Sequence, residues 1–570
     1  MSNLLLSLLS QTSQVAKIQF QQQTKAVIKT QEKFLQAVLT RHQNTLFGQE
    51  EKLSQIKSID EFRSRMRVRN YDEYEPYIQQ MAAGEENILT RDRAVYFNTT
   101  SGSTGKQKLI PVTKKFQNSL GWANLISIGF LSTALKKRGT HLRKLLLTNS
   151  TNISGYTSGG IPYGSGSAGV LKMGKWVYQQ LFANPYETLQ VSDSFARHYL
   201  CLLFALQNPE TGGIVANFPM LILRTCQYLE QYSDDLIDNL KTGTIPNWLT
   251  LESHLRNQLE KQLQPQPQRA QQLQTILTRQ GRLTPPQVWE NLSYIATARG
   301  GTSDFYLQRF PHYLENTPVF GAAYASAEAT YSIYPDLDVD GSVLAVGTGF
   351  FEFIPESEWD AKEPQTLLAV EVEIGQRYRI LVTNYSGFYR YDNGDVVQVV
   401  GFYNQAPLIV FRHRRGGLIS STVEKTTEAH AVAVMQRLQT EFNLTLEDFC
   451  LTLSEKETPA HYILNIELPP DQALPNLEKL LLRFDEILKE VNPRYGAKRQ
   501  DLVPPPQLHL LASGSFNIVR KRQLERGVPD SQLKFPHISE DRTLVAGLTV
   551  LQTVRSPNPS QSARERELDS

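Results

Sequence analysis

The sequence predicts an α/β protein in two parts, a large domain followed by a smaller α+β domain. Three observations predict this. The chain has 570 residues, more than one hydrophobic core usually supports. Short apolar runs with strand character alternate with helix-patterned segments, which is the mark of a layered α/β fold. Finally, the Gly416–Gly417 pair lies in a basic stretch and supplies backbone freedom where the two parts meet.

Taken in order, Ser13 to Gln43 carries Val15, Ile18, Ala26, Ile28, Phe34, Val38 and Leu39 at helical spacing and predicts one long amphipathic helix on the main domain. Strand-like Ala94–Phe97 and Leu109–Val112 flank a Gly/Ser/Thr-rich loop, and Pro111 keeps the second strand out of a sheet centre. Thr113 is placed to N-cap a helix from Lys114 to Lys136. Lys144–Thr148 reads as a buried strand, Ser154–Gly169 as a Gly/Ser-rich linker or binding loop, and Phe195–Lys241 as helical, with Tyr199–Leu206 a buried helix. Strands follow near Trp289–Ile295, Pro318–Phe320 and Arg377–Thr383, and Asn393–Gly394 is a tight-turn signal for a hairpin tip. Beyond the glycine pair, two helices, Thr427–Phe442 and Leu474–Val491, interleave with three strands. The expected domains are 1–413, with 1–43 as a helix on it, and 414–550, with 555–570 a polar disordered tail.

Composition excludes several classes. Net charge is +2, so nothing draws the chain to nucleic acid or to a membrane surface. No apolar stretch approaches membrane-spanning length, and the N-terminus lacks the flanks of a signal peptide. Cys201, Cys226 and Cys450 are far apart and form no metal or disulfide pattern. A reducing, cytoplasmic setting and a monomer are expected.

The chemistry centres on Tyr96–Thr113, whose core runs from Thr99 to Lys108. Glycines Gly102 and Gly105 allow close backbone approach, and successive amides in such a turn form an anion nest. The hydroxyls of Thr100, Ser101, Ser103 and Thr104 add donors, and Lys106 or Lys108 adds charge. These groups suit a polyphosphate; read by themselves, they equally make a flexible hairpin loop. The spacing is not that of a Walker loop, and a strand follows where that motif has a helix.

This loop, with Pro111 and Thr113 after it, resembles the phosphate-binding loop of adenylate-forming enzymes, and most closely that of the Gretchen Hagen (auxin-responsive promoter) family of acyl-acid amido synthetases. The resemblance runs from about Asn44 to Ile538 and includes packing residues Thr45, Phe47, Gly48, Ile56, Phe62, Tyr71 and Tyr74. It implies a large adenylate-forming N-terminal domain with a hinged smaller C-terminal domain. It also implies ATP and Mg²⁺ as cofactors, and small carboxylic acid and amino acid substrates.

The resemblance assigns further residues. Gly321–Glu328 matches a Tyr-Gly/Ala-x-Ser/Thr-Glu pattern. It implies that Tyr324, Ala325 and Ser326 border the nucleotide, with Tyr324 on the adenine, and that Glu328 is the Mg²⁺ ligand. One carboxylate beside a triphosphate is enough for that ion. Ala327 departs from the family's Ser/Thr. In Gly387–Val396 the match implies Tyr389 at the nucleotide and Asp395 accepting both ribose hydroxyls, which a carboxylate's two oxygens permit. Asp392 stands where many relatives have Arg. In Phe411–Glu428, Arg414 matches the hinge arginine, Lys425 the following lysine and Glu428 the glutamate. Asn492, Tyr495 and Arg499 match a further motif, and Lys534 a C-terminal Gln-x-Lys-x-Pro. Lys534, Arg414 and Lys425 are thereby the candidate catalytic residues. A coenzyme A ligase and a nucleotide-binding module without catalysis remain the alternatives.

Overall fold

A computed structural model describes residues 4–101, 107–166, 175–301, 303–414, 418–422, 424–525 apart from 456, 458, 471, 473–475, 500 and 501, and 535–555 apart from 540 and 542. The chain divides into two compact units, Met1–Phe411 and one built on Arg412–Val528 with the C-terminal segment.

The first unit holds three sheets. β1 (Ala94–Ser101) and β2 (Gln107–Thr113) form an antiparallel hairpin in a four-stranded sheet ordered β2-β1-β5-β4, with β4 Ile153–Tyr156 and β5 Pro162–Gly164. Pro111 pairs with Phe97 on β2, which is the edge strand that proline requires. The Thr113 hydroxyl accepts the Phe116 amide and caps the helix Lys114–Lys137, as its sequence predicts.

β3 (Leu145–Leu147), β6 (Gly213–Val215), β7 (Tyr294–Ala296) and β8 (Val319–Phe320) form an all-parallel sheet in that order. Here the sequence reading needs correction. Phe195–Lys241 is not continuous helix: β6 lies between helices Ser194–Leu206 and Pro219–Gln231. Only three residues long, β6 is too short to show a period of its own.

The largest sheet has eight strands in the order β13-β12-β14-β15-β16-β11-β10-β9. They are β9 Ala323–Ala325, β10 Thr330–Ile333, β11 Ser342–Leu344, β12 Phe350–Pro355, β13 Leu367–Leu368, β14 Arg377–Thr383, β15 Tyr391–Tyr403 and β16 Ala406–Arg414. Asn393–Gly394 lies within β15, not at a hairpin tip. Pairing on β14 skips from Leu381↔Asp392 to Arg379↔Val396, so the extra residues bulge. Gly394 takes φ 82° there, which only glycine does freely.

The N-terminal segment is two helices, Leu4–Gln23 and Val27–His42, where one was expected. The break falls at Thr24–Ala26, where the Gln405 amide donates to the Thr24 carbonyl and Asn404 to its hydroxyl. Phe47, Ile56, Phe62, Tyr71 and Tyr74 are buried in the main core, as packing residues should be.

The second unit has a two-stranded ribbon, β17 (Leu418–Ile419) with β18 (Thr426–Thr427), and a sheet ordered β19-β20-β21-β22. Its strands are β19 Asp448–Leu453, β20 Tyr462–Glu467, β21 Gln507–Leu511 and β22 Val550–Arg555. Helices Glu428–Glu441 and Leu477–Val491 complete the expected α+β alternation.

Candidate active site

The β9–β10 hairpin and the bulge of β15 bring Tyr324, Ser326, Glu328 and Asp395 into one hydrogen-bonded group. Ser326 and Ala329 close the turn through a backbone bond of 2.8 Å. Within the turn the Ser326 hydroxyl donates to Glu328 Oε2 at 2.7 Å and accepts the Glu328 amide. Tyr391 donates to Glu328 Oε1 at 3.1 Å, and Asn384 holds the Glu328 carbonyl at 2.7 Å. Glu328 is buried, yet both carboxylate oxygens have donors, which keeps a buried charge affordable.

Asp395 is buried too. Its Oδ2 accepts the Tyr324 hydroxyl at 2.6 Å and the Asn393 side-chain amide at 3.1 Å. Asn393 also donates to the Tyr331 hydroxyl at 2.9 Å, and Tyr331 lies 3.5 Å from Ser326 Oγ. A polar chain therefore joins the two carboxylates through Asn393, Tyr331 and Ser326. The Tyr324 ring stacks on Tyr331, with centroids 4.8 Å apart, and leans on Phe411 at 5.3 Å. Ala325 is exposed beside it.

The β1–β2 hairpin is tied to the same turn. Asn98 on β1 donates to the Ala327 carbonyl at 3.1 Å. The Ala327 methyl packs on the main core, so what this position contributes here is its backbone. Thr100 pairs with Lys108 and Ser101 with Gln107, closing the ladder below the loop. Gly102, Ser103, Thr104, Gly105 and Lys106 lie outside the described residues. The Lys108 ammonium stands 4.9 Å above the Tyr71 ring. Tyr71 is itself locked to the Leu109 backbone, and burial pushes its hydroxyl up to about 12.

Tyr389 is placed elsewhere. It is fully buried and stacks on Phe47 at 5.0 Å and 12°, with its backbone bracketed by the Tyr74 hydroxyl. Arg390 between them has φ 48°, which breaks strand alternation, and it is Tyr391 that reaches Glu328. The sequence reading missed Asn98, Asn384, Tyr331, Tyr391 and Asn393. A period-two reading from Tyr391 through Asn393 to Asp395 is the signal that finds two of them.

Asp392 is half-buried beside this group. Burial pushes its carboxyl up to about 6; the Gly394 amide opposes the rise, and the charge of Asp395 adds to it. In the second unit, Arg414 ends β16 exposed, and Lys425 is exposed with φ 52°. Glu428 accepts the His537 amide at 2.8 Å. Lys534 lies outside the described residues.

Among the described residues no cluster of three metal-ligating side chains exists. The Glu328 carboxylate is an anionic oxygen donor of the kind a hard cation takes beside phosphate oxygens. No described helix is long and apolar enough to cross a membrane.

Residues 16–319 match the GH3 family N-terminal domain, 342–414 its central domain and 429–543 its C-terminal domain. The chain is 27% identical over 543 residues to the jasmonoyl–L-amino acid synthetase JAR4 of Nicotiana attenuata, covering 91% of this chain and 92% of that protein. It is 26% identical over 537 residues to the indole-3-acetic acid-amido synthetase GH3.4 of Arabidopsis thaliana, covering 89% and 88%. Its fold matches the solved GH3.15 acyl acid amido synthetase with a TM-score of 0.83 at 22% identity, over 94% of this chain and 96% of that one. With all three family domains matched in order along the chain, it belongs to the GH3 family, the Gretchen Hagen family its motifs resemble.

Proposed function

We propose that this chain is an ATP-dependent acyl-acid amido synthetase that joins a small carboxylic acid to an amino acid. The observation that carries the reading is the joining of Glu328 and Asp395, one buried carboxylate for the cation and one for the ribose, by a single polar chain at the foot of the β1–β2 loop.

In the first step an oxygen of the acid attacks the α-phosphorus of ATP. The bond to the bridging oxygen breaks and pyrophosphate leaves, which gives an acyl-adenylate. In the second, the amine nitrogen attacks the carbonyl carbon, AMP departs and the amine loses a proton to solvent. A carboxylate is a poor acylating agent, so the adenylate supplies the leaving group. Such chemistry relies on positioning and charge neutralisation. Tyr324, with its hydroxyl committed to Asp395, offers its ring to the base, and Asp395 accepts from the ribose. The loop from Thr100 to Gly105 and Lys108 takes the phosphates. A Mg²⁺ ion at Glu328 would neutralise phosphate charge. Lys534, Arg414 and Lys425 are the catalytic residues of this reading. The three cysteines, all buried and unpaired, suit a reducing cytoplasm, and we expect a monomer.

The test is incubation with ATP, Mg²⁺ and a pool of carboxylic acids, with and without amino acids or coenzyme A. Pyrophosphate release with amide products supports the reading. A thioester product alone makes the chain a coenzyme A ligase, and ATP binding without pyrophosphate makes it an inactive module. Lys534→Ala should slow pyrophosphate release roughly a hundredfold or more, with less effect on amide formation from supplied acyl-adenylate.

A further inference from the structure

Asn98 is an unexpected residue for its place. β1 lies inside its sheet, and Asn98 pairs with Ile110 of β2 on one side and Gly164 of β5 on the other. It is 5% exposed. Such a position favours β-branched and aromatic residues, and asparagine is depleted there. A buried amide is unfavourable unless it is hydrogen-bonded. What the residue contributes is therefore the 3.1 Å bond that its Nδ2 donates to the Ala327 carbonyl.

That carbonyl has a particular place. Ser326 and Ala329 close the β9–β10 turn, so Ala327 and Glu328 are its central residues. Their carbonyls lie outside the strand ladder and need other donors. Side-chain amides supply both. Asn98 takes the Ala327 carbonyl from the β1–β2 hairpin. Asn384, in the connection from β14 to β15, takes the Glu328 carbonyl at 2.7 Å. Asn384 is fully buried and its Oδ1 accepts the Ser386 amide at 2.8 Å, which fixes the orientation of its amide. The neighbouring Tyr385 carbonyl accepts the Thr113 hydroxyl at 3.1 Å, at the far end of β2. Both strands of the hairpin are thus tied: β1 to the turn that carries Glu328, and β2 to the support behind that turn. From Asn98, β1 runs on to Ser101 and so to the start of the glycine-rich loop.

We propose that Asn98 is a positioning residue that couples phosphate binding to cation binding. Through the Ala327 carbonyl it fixes the hairpin that carries the phosphate loop against the turn that carries Glu328, so that both act on one triphosphate. The inference rests on the proposed function, which gives the loop the phosphates and Glu328 the cation. Without the tie each part keeps its own chemistry, but a metal-bound triphosphate no longer meets both at their best distance.

The experiment is calorimetric titration of the full chain with ATP, in Mg²⁺ and in EDTA, with no acid present so that nothing turns over. The quantity read is the factor by which Mg²⁺ tightens ATP binding. Glu328→Gln should lower this factor. Asn98→Ala should lower it about fivefold, as the loss of one neutral hydrogen bond predicts, and should lower it no further in the Glu328→Gln background. A structural role would weaken ATP binding equally with and without Mg²⁺. An unchanged factor in Asn98→Ala would therefore overturn the inference while the proposed function stands. A factor near one in the wild type, or one that Glu328→Gln leaves unchanged, would overturn the part given to Glu328 and the inference with it. Asn98→Leu fills the same space without a donor and should give the same loss, so it serves if Asn98→Ala does not fold. If neither variant folds, Asn98 is a structural residue and the inference is overturned.

Discussion

The hydroxyl of Tyr324 donates a 2.6 Å hydrogen bond to Oδ2 of Asp395, across the turn between β9 and the bulge of β15. The bond fixes a buried carboxylate and turns the tyrosine ring so that its polar end is spent internally. Tyr324→Phe keeps the stack on Tyr331 but removes one donor from a charged acceptor. Hydrogen bonds to charged groups are worth about 1.5–3 kcal/mol. We therefore expect KM for ATP to rise roughly tenfold, with kcat little changed, and Asp395→Ala to be worse. Steady-state pyrophosphate release at varied ATP measures it, and an unchanged KM in both variants removes the pair from the nucleotide site.

Glu328 offers a second test through the cation. Glu328→Gln keeps the Ser326 contact and removes the charge, so the Mg²⁺ concentration needed for half-maximal rate should rise at least about tenfold, since a hard cation depends on anionic oxygen. Tyr391→Phe removes only a donor that steadies Oε1, and its shift should be in the same direction and smaller, about 1 kcal/mol or less. A Mg²⁺ titration separates the two, and an unchanged curve for Glu328→Gln takes this residue out of the metal site.

The sequence carried some of this and hid the rest for identifiable reasons. The β1–β2 hairpin, the edge position forced by Pro111 and the Thr113 cap follow from local chemistry that needs no partner. The pairing of Tyr324 with Asp395 spans 71 positions; motif resemblance put both at the nucleotide but no pattern says that they touch. Asn98 sits on β1, inside the most conspicuous stretch of the chain, yet its partner is a backbone carbonyl at Ala327, which carries no residue signature. The Asn393–Gly394 signal was real, but the left-handed glycine serves a bulge here, because β14 continues pairing on both sides of it. Tyr389 lies against Phe47 for a related cause: the positive φ of Arg390 breaks the alternation, and Tyr391 is the tyrosine that reaches Glu328.

Asp392 makes a prediction in pH. Arg379 Nε lies 3.4 Å from its Oδ2 and the Gly394 amide, donating to its Oδ1, opposes the upward shift, but burial prevails and pushes the carboxyl up to about 6. In the unfolded chain it titrates at about 3.9. The folded state thus holds the proton longer, and the stability this provides is complete below about pH 4 and lost as pH rises through about 6. Asp392→Asn removes that slope. The variant should gain on the wild type between about pH 4 and 7, by up to about 1.4 kcal/mol per unit within the window, and run parallel above it. Urea unfolding at several pH values measures the difference, and parallel curves throughout would show that Asp392 keeps an ordinary pKa.

Tyr389 supplies the last prediction, because its surroundings argue against its expected role. The ring is stacked on Phe47 and fully buried, and its hydroxyl is buried without a hydrogen-bond partner among the described residues. Burial also drives that hydroxyl well above its ordinary titration range, so it stays neutral. An unpaired buried hydroxyl costs roughly 1–3 kcal/mol, and Tyr389→Phe removes it while keeping ring, stack and the backbone bonds to Tyr74. The variant should be as stable as the wild type or more so, by about 1 kcal/mol, and should bind ATP unchanged. Thermal unfolding and KM for ATP together decide the matter. A raised KM at unchanged stability would return Tyr389 to the nucleotide site and mean that its hydroxyl meets a partner when ATP is bound. A loss of stability would mean that the hydroxyl is bonded in solution, and the core reading of this residue would be wrong.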